Sequence, residues 1–142
     1  MQKPHIPILI GGGGEKVTLK LVAQYGDACN VGGGDIETIK RKLAILKDHC
    51  ATVGRDYESI WRTTTIDFCA LAETEEAAIA KLRPEERANL ENLRRTQLIG
   101  TPGQLRQRLA AYEEAGIQET LIRFVDTRER ESLHLFAHEF LA

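Results

Sequence analysis

Two short glycine runs carry the clearest chemical signal in this sequence. Residues 11–14 follow the apolar stretch Ile6-Pro7-Ile8-Leu9-Ile10, and residues 32–34 follow Asp27-Ala28-Cys29-Asn30-Val31; together they hold seven of the chain's twelve glycines. A glycine-rich turn between a strand and a helix lets backbone N–H groups approach a phosphate without Cβ obstruction, and the positive end of the helix favours the anion. Gly12, Gly13 and Gly14 are the candidates for that role, and Lys16 can add a charge. Glu15 would disfavour an anion if it pointed inward and is expected to point away, as a residue of the first helical turn. The same glycines also suit tight turns with no ligand at all. Asn30 is either part of the site or a strand-end turn residue.

Other side chains with chemical potential stand alone. His134 and His138 are spaced i, i+4, which could place both on a metal from one helix face, but no third ligand is evident near them and no metal site is assigned. Cys29 lies beside the glycine loops and reads as a redox thiol or, more simply, a small buried residue. Arg62 and Asp67 fall on opposite faces of one strand if it is regular, so in a barrel one of them is expected to point into the interior or mouth, and neither is named an acid or base. Arg123, in a later strand, can meet an anion or cap a layer of side chains. The polar run 85–95 reads as a solvated face.

Alternating strands and helices must position these groups. The stretch 6–10 reads as a strand covered on both faces, with Gly11 its stop and Pro7 near its start. A helix is expected over 15–25, with Val17, Leu21 and Val22 at helical spacing and Gly26 as its stop. A second strand spans 27–31. Asp35 caps the next helix, whose Ile39, Leu43, Leu46 and Cys50 form its apolar stripe, and Gly54 ends it. Residues 60–72, IWRTTTIDFCALA, read as a long strand. Thr74 caps a helix that Arg83-Pro84 interrupts, and 85–97 is a polar excursion anchored by Leu90 and Leu93. Thr101-Pro102 opens a helix carrying Leu105, Leu109 and Tyr112, ended by Gly116. A fourth strand, 119–125, precedes a closing helix with the stripe Leu133, Phe136 and Phe140. Four parallel βα units follow, as an open sheet or as about half of a (β/α)8 barrel. Because the units are parallel, both glycine runs belong to the C-terminal edge of the sheet, where sites occur in either architecture.

Composition narrows the function classes. With 19 basic and 21 acidic side chains mixed along 142 residues, the formal charge is −2 and nothing favours nucleic acid or an anionic membrane as partner. No apolar run approaches the ~20 residues of a membrane span and no signal peptide is visible, so a soluble cytoplasmic location is expected. Cys29, Cys50 and Cys69 are odd in number and lack close spacing, as expected of reduced thiols.

Three segments in order, PILIGGGGEKVTLKLVAQYGDACN, LKDHCATVGRDYESI and GTPGQLRQRLAAYEEAGIQETLIRF, resemble the C-terminal half of the bacterial-luciferase-like oxidoreductases, and within them the group that uses the deazaflavin F420. The resemblance runs from Pro4 to Leu141. It implies one domain, 1–142, built as strands five to eight of a (β/α)8 barrel without strands one to four. It further implies a flavin or deazaflavin across the C-terminal mouth, with much of the ring pocket supplied by the N-terminal half, so no catalytic residue carries over. The phosphate end of the cofactor site does: Gly12, Gly13, Gly14 and Glu15 match the loop that approaches the cofactor tail, and Asn30, Val31 and Gly32 match the end of the next strand. The implied activity is F420-dependent hydride transfer to or from a small organic substrate. An FMN-dependent monooxygenase and a catalytically inactive truncated half-barrel stand as alternatives. Unpaired strand edges in a half-barrel lead us to expect a homodimer.

Overall fold

The computed structural model describes residues 5–141. Its sheet is parallel throughout: β1 (Leu9–Gly11), β2 (Ala28–Asn30), β3 (Trp61–Leu71), β4 (Leu98–Gly100) and β5 (Glu119–Phe124). Helices α1 (Thr18–Tyr25), α2 (Ile36–Val53), α3 (Glu75–Ala80), α4 (Pro84–Arg87), α5 (Leu90–Thr96), α6 (Pro102–Glu114) and α7 (Glu131–Phe140) fill the connections, with a 3-10 turn at Tyr57–Ser59.

The long strand β3 organises the sheet. Thr63 pairs with both Asn30 and Glu119, so β2 and β5 lie on opposite edges of β3. Cys69 pairs with both Leu98 and Phe124, which puts β4 on the same edge as β2 but further along the strand. A register shift between Ile66 and Cys69 interrupts the β3–β5 pairing over the stretch where β3's other edge passes from β2 to β4. The main run of strands is therefore β1-β2-β3-β5, in chain order and without reversal.

All the helix packing in the main core is on one face. Leu19, Val22 and Ala23 of α1, Ile39, Leu43, Leu46 and Cys50 of α2 and Leu105 and Tyr112 of α6 meet Cys29, Val31 and Ile66 of the sheet. Ile10, Ile122 and Phe124 join them, with Phe136 and Phe140 of α7. Phe124 and Phe136 meet edge to face at 5.6 Å, and Phe136 stacks on Phe140 at 4.4 Å. Main-core helices on a single face and strands in chain order are the arrangement of a barrel wall, whereas a doubly wound sheet has helices on both faces and a reversal in strand order; here the α3–α5 excursion packs on the other face only at the C-terminal end of β3. A small second cluster of Ala70, Leu82 and Ile99 holds the α3–α5 excursion through Leu90 and Leu93.

Several expectations are corrected. The first strand is not covered on both faces: only Leu9–Gly11 pairs, at a sheet edge, and Ile6, Ile8 and Leu9 are 72%, 49% and 55% exposed. Helix α1 starts at Thr18, so Glu15 lies in the preceding turn and not in a first helical turn. Val17 and Leu21 are exposed, and Leu19 and Ala23 take their place in the core. In α7, Leu133 is exposed and Leu135 packs inward. The strand β4 was missed because its three residues, Leu98-Ile99-Gly100, look like the approach to the Thr101 cap. The caps themselves stand as read: Asp35 Oδ1 accepts from Thr38 N–H at 2.8 Å, Thr74 Oγ1 accepts from Ala77 N–H at 3.2 Å, and Gly54 ends α2 with φ +69°.

Candidate functional site

Parallel strands bring every strand-to-helix loop to one rim. At its first corner β1 and β2 run side by side, Gly11 level with Asn30, and the ladder continues as Gly12 N–H donates to Asn30 O at 2.9 Å. The two glycine runs are thereby adjacent. Gly12 has φ +124°, a conformation that only glycine adopts readily. At Gly13 a Cβ would collide with the amine end of Lys42 and stand 2.9 Å from Val31 O; at Gly14 it would stand 2.8 Å from Thr18 Oγ1. The glycines are thus required by close packing of the loop, apart from any ligand.

The loop also leaves donors free. Among the described residues, the backbone N–H groups of Gly13, Gly14, Glu15 and Lys16 donate to no protein acceptor, and Val17, at the cap position of α1, supplies no side-chain hydrogen bond. Consecutive free N–H groups in a turn leading into a helix form a concavity suited to an anion. Glu15 does not oppose this: its carboxylate pairs with Arg41 of α2, and His49 Nε2 donates to its carbonyl at 2.8 Å. Lys16 is exposed. The residue that the sequence did not reveal is Lys42. It reaches from α2 into the gap between the loops, where its Nζ donates to Val31 O at 3.0 Å. Its position beside the Ile39/Leu43/Leu46 stripe was the only available signal.

The second loop is held by Asn30. Its Nδ2 donates to Thr63 Oγ1 at 3.1 Å and Thr65 Oγ1 at 3.0 Å, while its Oδ1 accepts from Gly32 N–H at 3.1 Å. Thr64 Oγ1 in turn donates to Gly32 O at 3.1 Å, and Gly32 has φ +74°. The amide of Asn30 is therefore committed to the loop, and the side chain of Val31 is fully buried in the core, leaving only its backbone near the site.

A second corner lies where β3 and β5 end. A cavity of about 290 Å³ is lined by Asp67, Phe68, Lys81, Arg83, Glu86, Arg123, Phe124, Val125 and Thr127. Most of its charges are already paired. Arg83 holds Glu86, whose carboxyl lies below the usual range because that guanidinium hydrogen-bonds to it. Lys81 Nζ donates to Asp126 Oδ2 at 2.8 Å, Ser132 Oγ at 3.0 Å and Leu71 O at 3.0 Å. Burial alone would raise the Asp126 carboxyl; hydrogen bonds from Lys81 and from Ser132 overcome it and hold the carboxyl low. Asp67 and Arg123 are different. Both are exposed on the face away from the main core, and among the described residues Arg123 donates only to the Asp67 carbonyl, from Nε at 2.9 Å.

The remaining candidates fall elsewhere. Arg62 sits on the helix side near the opposite end of β3, 6% exposed, with its guanidinium 4.5 Å from the Tyr57 ring and donating to Gly116 O, Tyr57 O, Ile60 O and Glu58. It is a structural clamp. The larger cavity beside it, about 490 Å³, lies at that same far end. Cys29, Cys50 and Cys69 are buried and free; burial pushes the Cys29 thiol up to about 11 and the Cys69 thiol up to about 12. His138 lies largely exposed on α7 against Glu139. Among the described residues no helix is long and apolar enough to cross a membrane.

No protein-family model and no curated protein matches the chain. Solved structures do. An F420-dependent secondary alcohol dehydrogenase, in complex with an F420-acetone adduct, matches with TM-score 0.79 and 16% identity over 98% of this chain and 49% of that one. A monooxygenase from Streptomyces bottropensis matches with TM-score 0.73 and 21% identity over 99% and 49%. A riboflavin lyase, crystallised with modified FMN and riboflavin, matches with TM-score 0.70 and 14% identity over 94% and 41%. At these identities the likeness is one of fold, and the chain spans about half the length or less of the structures it matches. Four parallel βα units equivalent to the C-terminal half of a (β/α)8 barrel are its architecture.

Proposed function

We propose that the chain is the cofactor-tail half of a luciferase-like oxidoreductase, anchoring the phosphate of coenzyme F420 at the first glycine loop. The observation that carries this reading is the row of free N–H groups from Gly13 to Lys16, in a turn whose glycines admit no side chain, on the rim where barrels of this kind bind ligands. The loop fits a phosphate: donors face no internal competitor, Glu15 is drawn off by Arg41, and Lys42 adds a nearby positive charge. F420, when bound, supplies hydride transfer to or from a small organic substrate. The residues of this chain bind and orient: Gly13, Gly14 and Glu15 hold the anion through backbone donors, Asn30 fixes the neighbouring loop, and the β3–β5 corner forms one wall of the mouth. FMN is the second reading, favoured by the likeness to a riboflavin lyase and a monooxygenase.

The test is titration of the purified chain with F420 and, separately, with FMN, followed by calorimetry. Saturable binding of one cofactor, weakened tenfold or more in Gly13→Ala and Gly14→Val, is expected. Binding of neither cofactor removes the proposal and leaves a half-barrel scaffold without a cofactor role.

A further inference from the structure

Away from the main core, the face of the sheet carries no helix along most of its length among the described residues; only at the rim, where Ala70 and Ile99 point to that side, does the α3–α5 excursion pack over it. Alternation along the strands puts Leu9, Trp61, Glu119, Leu121 and Arg123 on it as exposed side chains, opposite the residues of the main core, with Thr63 nearly buried among them. Leu9, Trp61 and Leu121 are 55%, 48% and 44% exposed there. Both flanks of the sheet are open as well. β1 pairs only with β2 and β5 only with β3 among the described residues. The ladder contacts at Ile8, Gly12, Gln118 and Val125 turn the backbone groups of Leu9 and Gly11 outward on one flank, and those of Glu119 and Leu121 outward on the other. Apolar exposure of this kind, bounded by two bare strand edges, marks an association surface.

We propose that this surface is closed by a second copy of the chain, two half-barrels forming one eight-stranded barrel about a two-fold axis parallel to the strands. The argument is geometric. A two-fold rotation about such an axis preserves strand direction, so β1 of each copy comes alongside β5 of the other in parallel, and both open edges are satisfied by one operation. The strands β1, β2, β3 and β5 number four, and twice four closes a barrel of eight. Closure also completes the rim. It sets the glycine loop of one copy next to the β3–β5 corner of the other, where Asp67 and Arg123 face inward, so each half of the site is supplied by a different copy.

The experiment is sedimentation equilibrium of the full chain from micromolar to tens of micromolar, which does not depend on any cofactor. A species of twice the 15.9 kDa chain mass is expected. Leu121→Glu and Leu9→Glu, one on each flank of the inner face, are expected to weaken association at least tenfold while retaining helical circular dichroism; two variants guard against a single folding failure. Val53→Glu, exposed at the end of α2 on the helix side, is expected to leave the dimer intact. A folded wild-type monomer across the range overturns the proposal. A dimer that survives both inner-face variants, or that Val53→Glu disrupts equally, overturns it too, because association then uses another surface.

Discussion

The two faces of this sheet are built from the same strands and differ in what they bury and what they leave exposed. Toward the helices, Cys29, Val31, Ile66 and Cys69 are fully buried against α1, α2, α6 and α7. Away from them, their sequence neighbours Asn30, Thr65 and Asp67 carry hydrogen-bonding or charged groups, and Trp61 and Leu121 lie about half open. The helix-side face stores the stability of the chain, and the open face presents the charges of Asp67 and Arg123 while Asn30, Thr63 and Thr65 hydrogen-bond among themselves. A strand that alternates in this way serves both tasks without compromise, since each side chain answers to one face only.

Paired substitutions across the sheet test this contrast. Ile66→Ala, in the sealed face, is expected to cost about 2–5 kcal/mol, since deletion of buried methyl groups leaves a cavity that close-packed helices cannot collapse to fill. Leu121→Ala, on the neighbouring strand but the open face, is expected to cost under about 1 kcal/mol in the isolated half-barrel. Urea unfolding at low protein concentration, where association is minimal, measures both. Equal losses would show that the open face is a core in its own right.

Asn30 probes the border between the faces. Asn30→Ala removes the acceptor of Gly32 N–H and the donor to Thr63 and Thr65, the former a hydroxyl that is almost wholly buried. An intermediate cost of about 1–3 kcal/mol is expected, as for groups left without partners. The same variant should loosen the loop of residues 31–34, read as faster amide exchange at Gly32 than at Gly12, whose acceptor is the unchanged Asn30 carbonyl.

Much of this was legible in the sequence, and for identifiable reasons. The caps at Asp35 and Thr74, the stop at Gly54 and the stripe Ile39, Leu43, Leu46, Cys50 follow from local rules that tertiary structure did not override. The glycine loops were legible because their composition is extreme. That the first strand is not covered on both faces was not, because an apolar run such as residues 6–10 is written identically for a covered strand and for an exposed edge strand. Lys42 was hidden because a lysine beside an apolar stripe looks like any solvated helix residue, and its role arises only from where α2 crosses the loops. The three-residue β4 was hidden because it exists only through long-range pairing with Cys69 to Leu71 of β3, which no pattern in Leu98-Ile99-Gly100 encodes.

The cysteines supply the most delicate reading of the contrast. Cys29 and Cys69 both project into the sealed face, and burial raises their thiols to about 11 and about 12 from an ordinary 9.0. In the folded state they are therefore neutral at pH 8 and screened from reagents, so iodoacetamide should leave both unlabelled until urea unfolds the chain, when mass spectrometry should find them modified. The sign of the pH effect follows. Because the folded values lie above the unfolded one, the contribution of these thiols to stability is fully present below about pH 9 and is lost as pH rises toward 11 and 12. The urea midpoint of the wild type should accordingly fall more steeply above pH 9 than that of a Cys29→Ala, Cys69→Ala variant, whose small side chains cannot ionise. A midpoint with the same alkaline slope in both proteins, or ready labelling of the native thiols at pH 8, would mean that water reaches the helix side of the sheet and that its two faces are less distinct than their burial indicates.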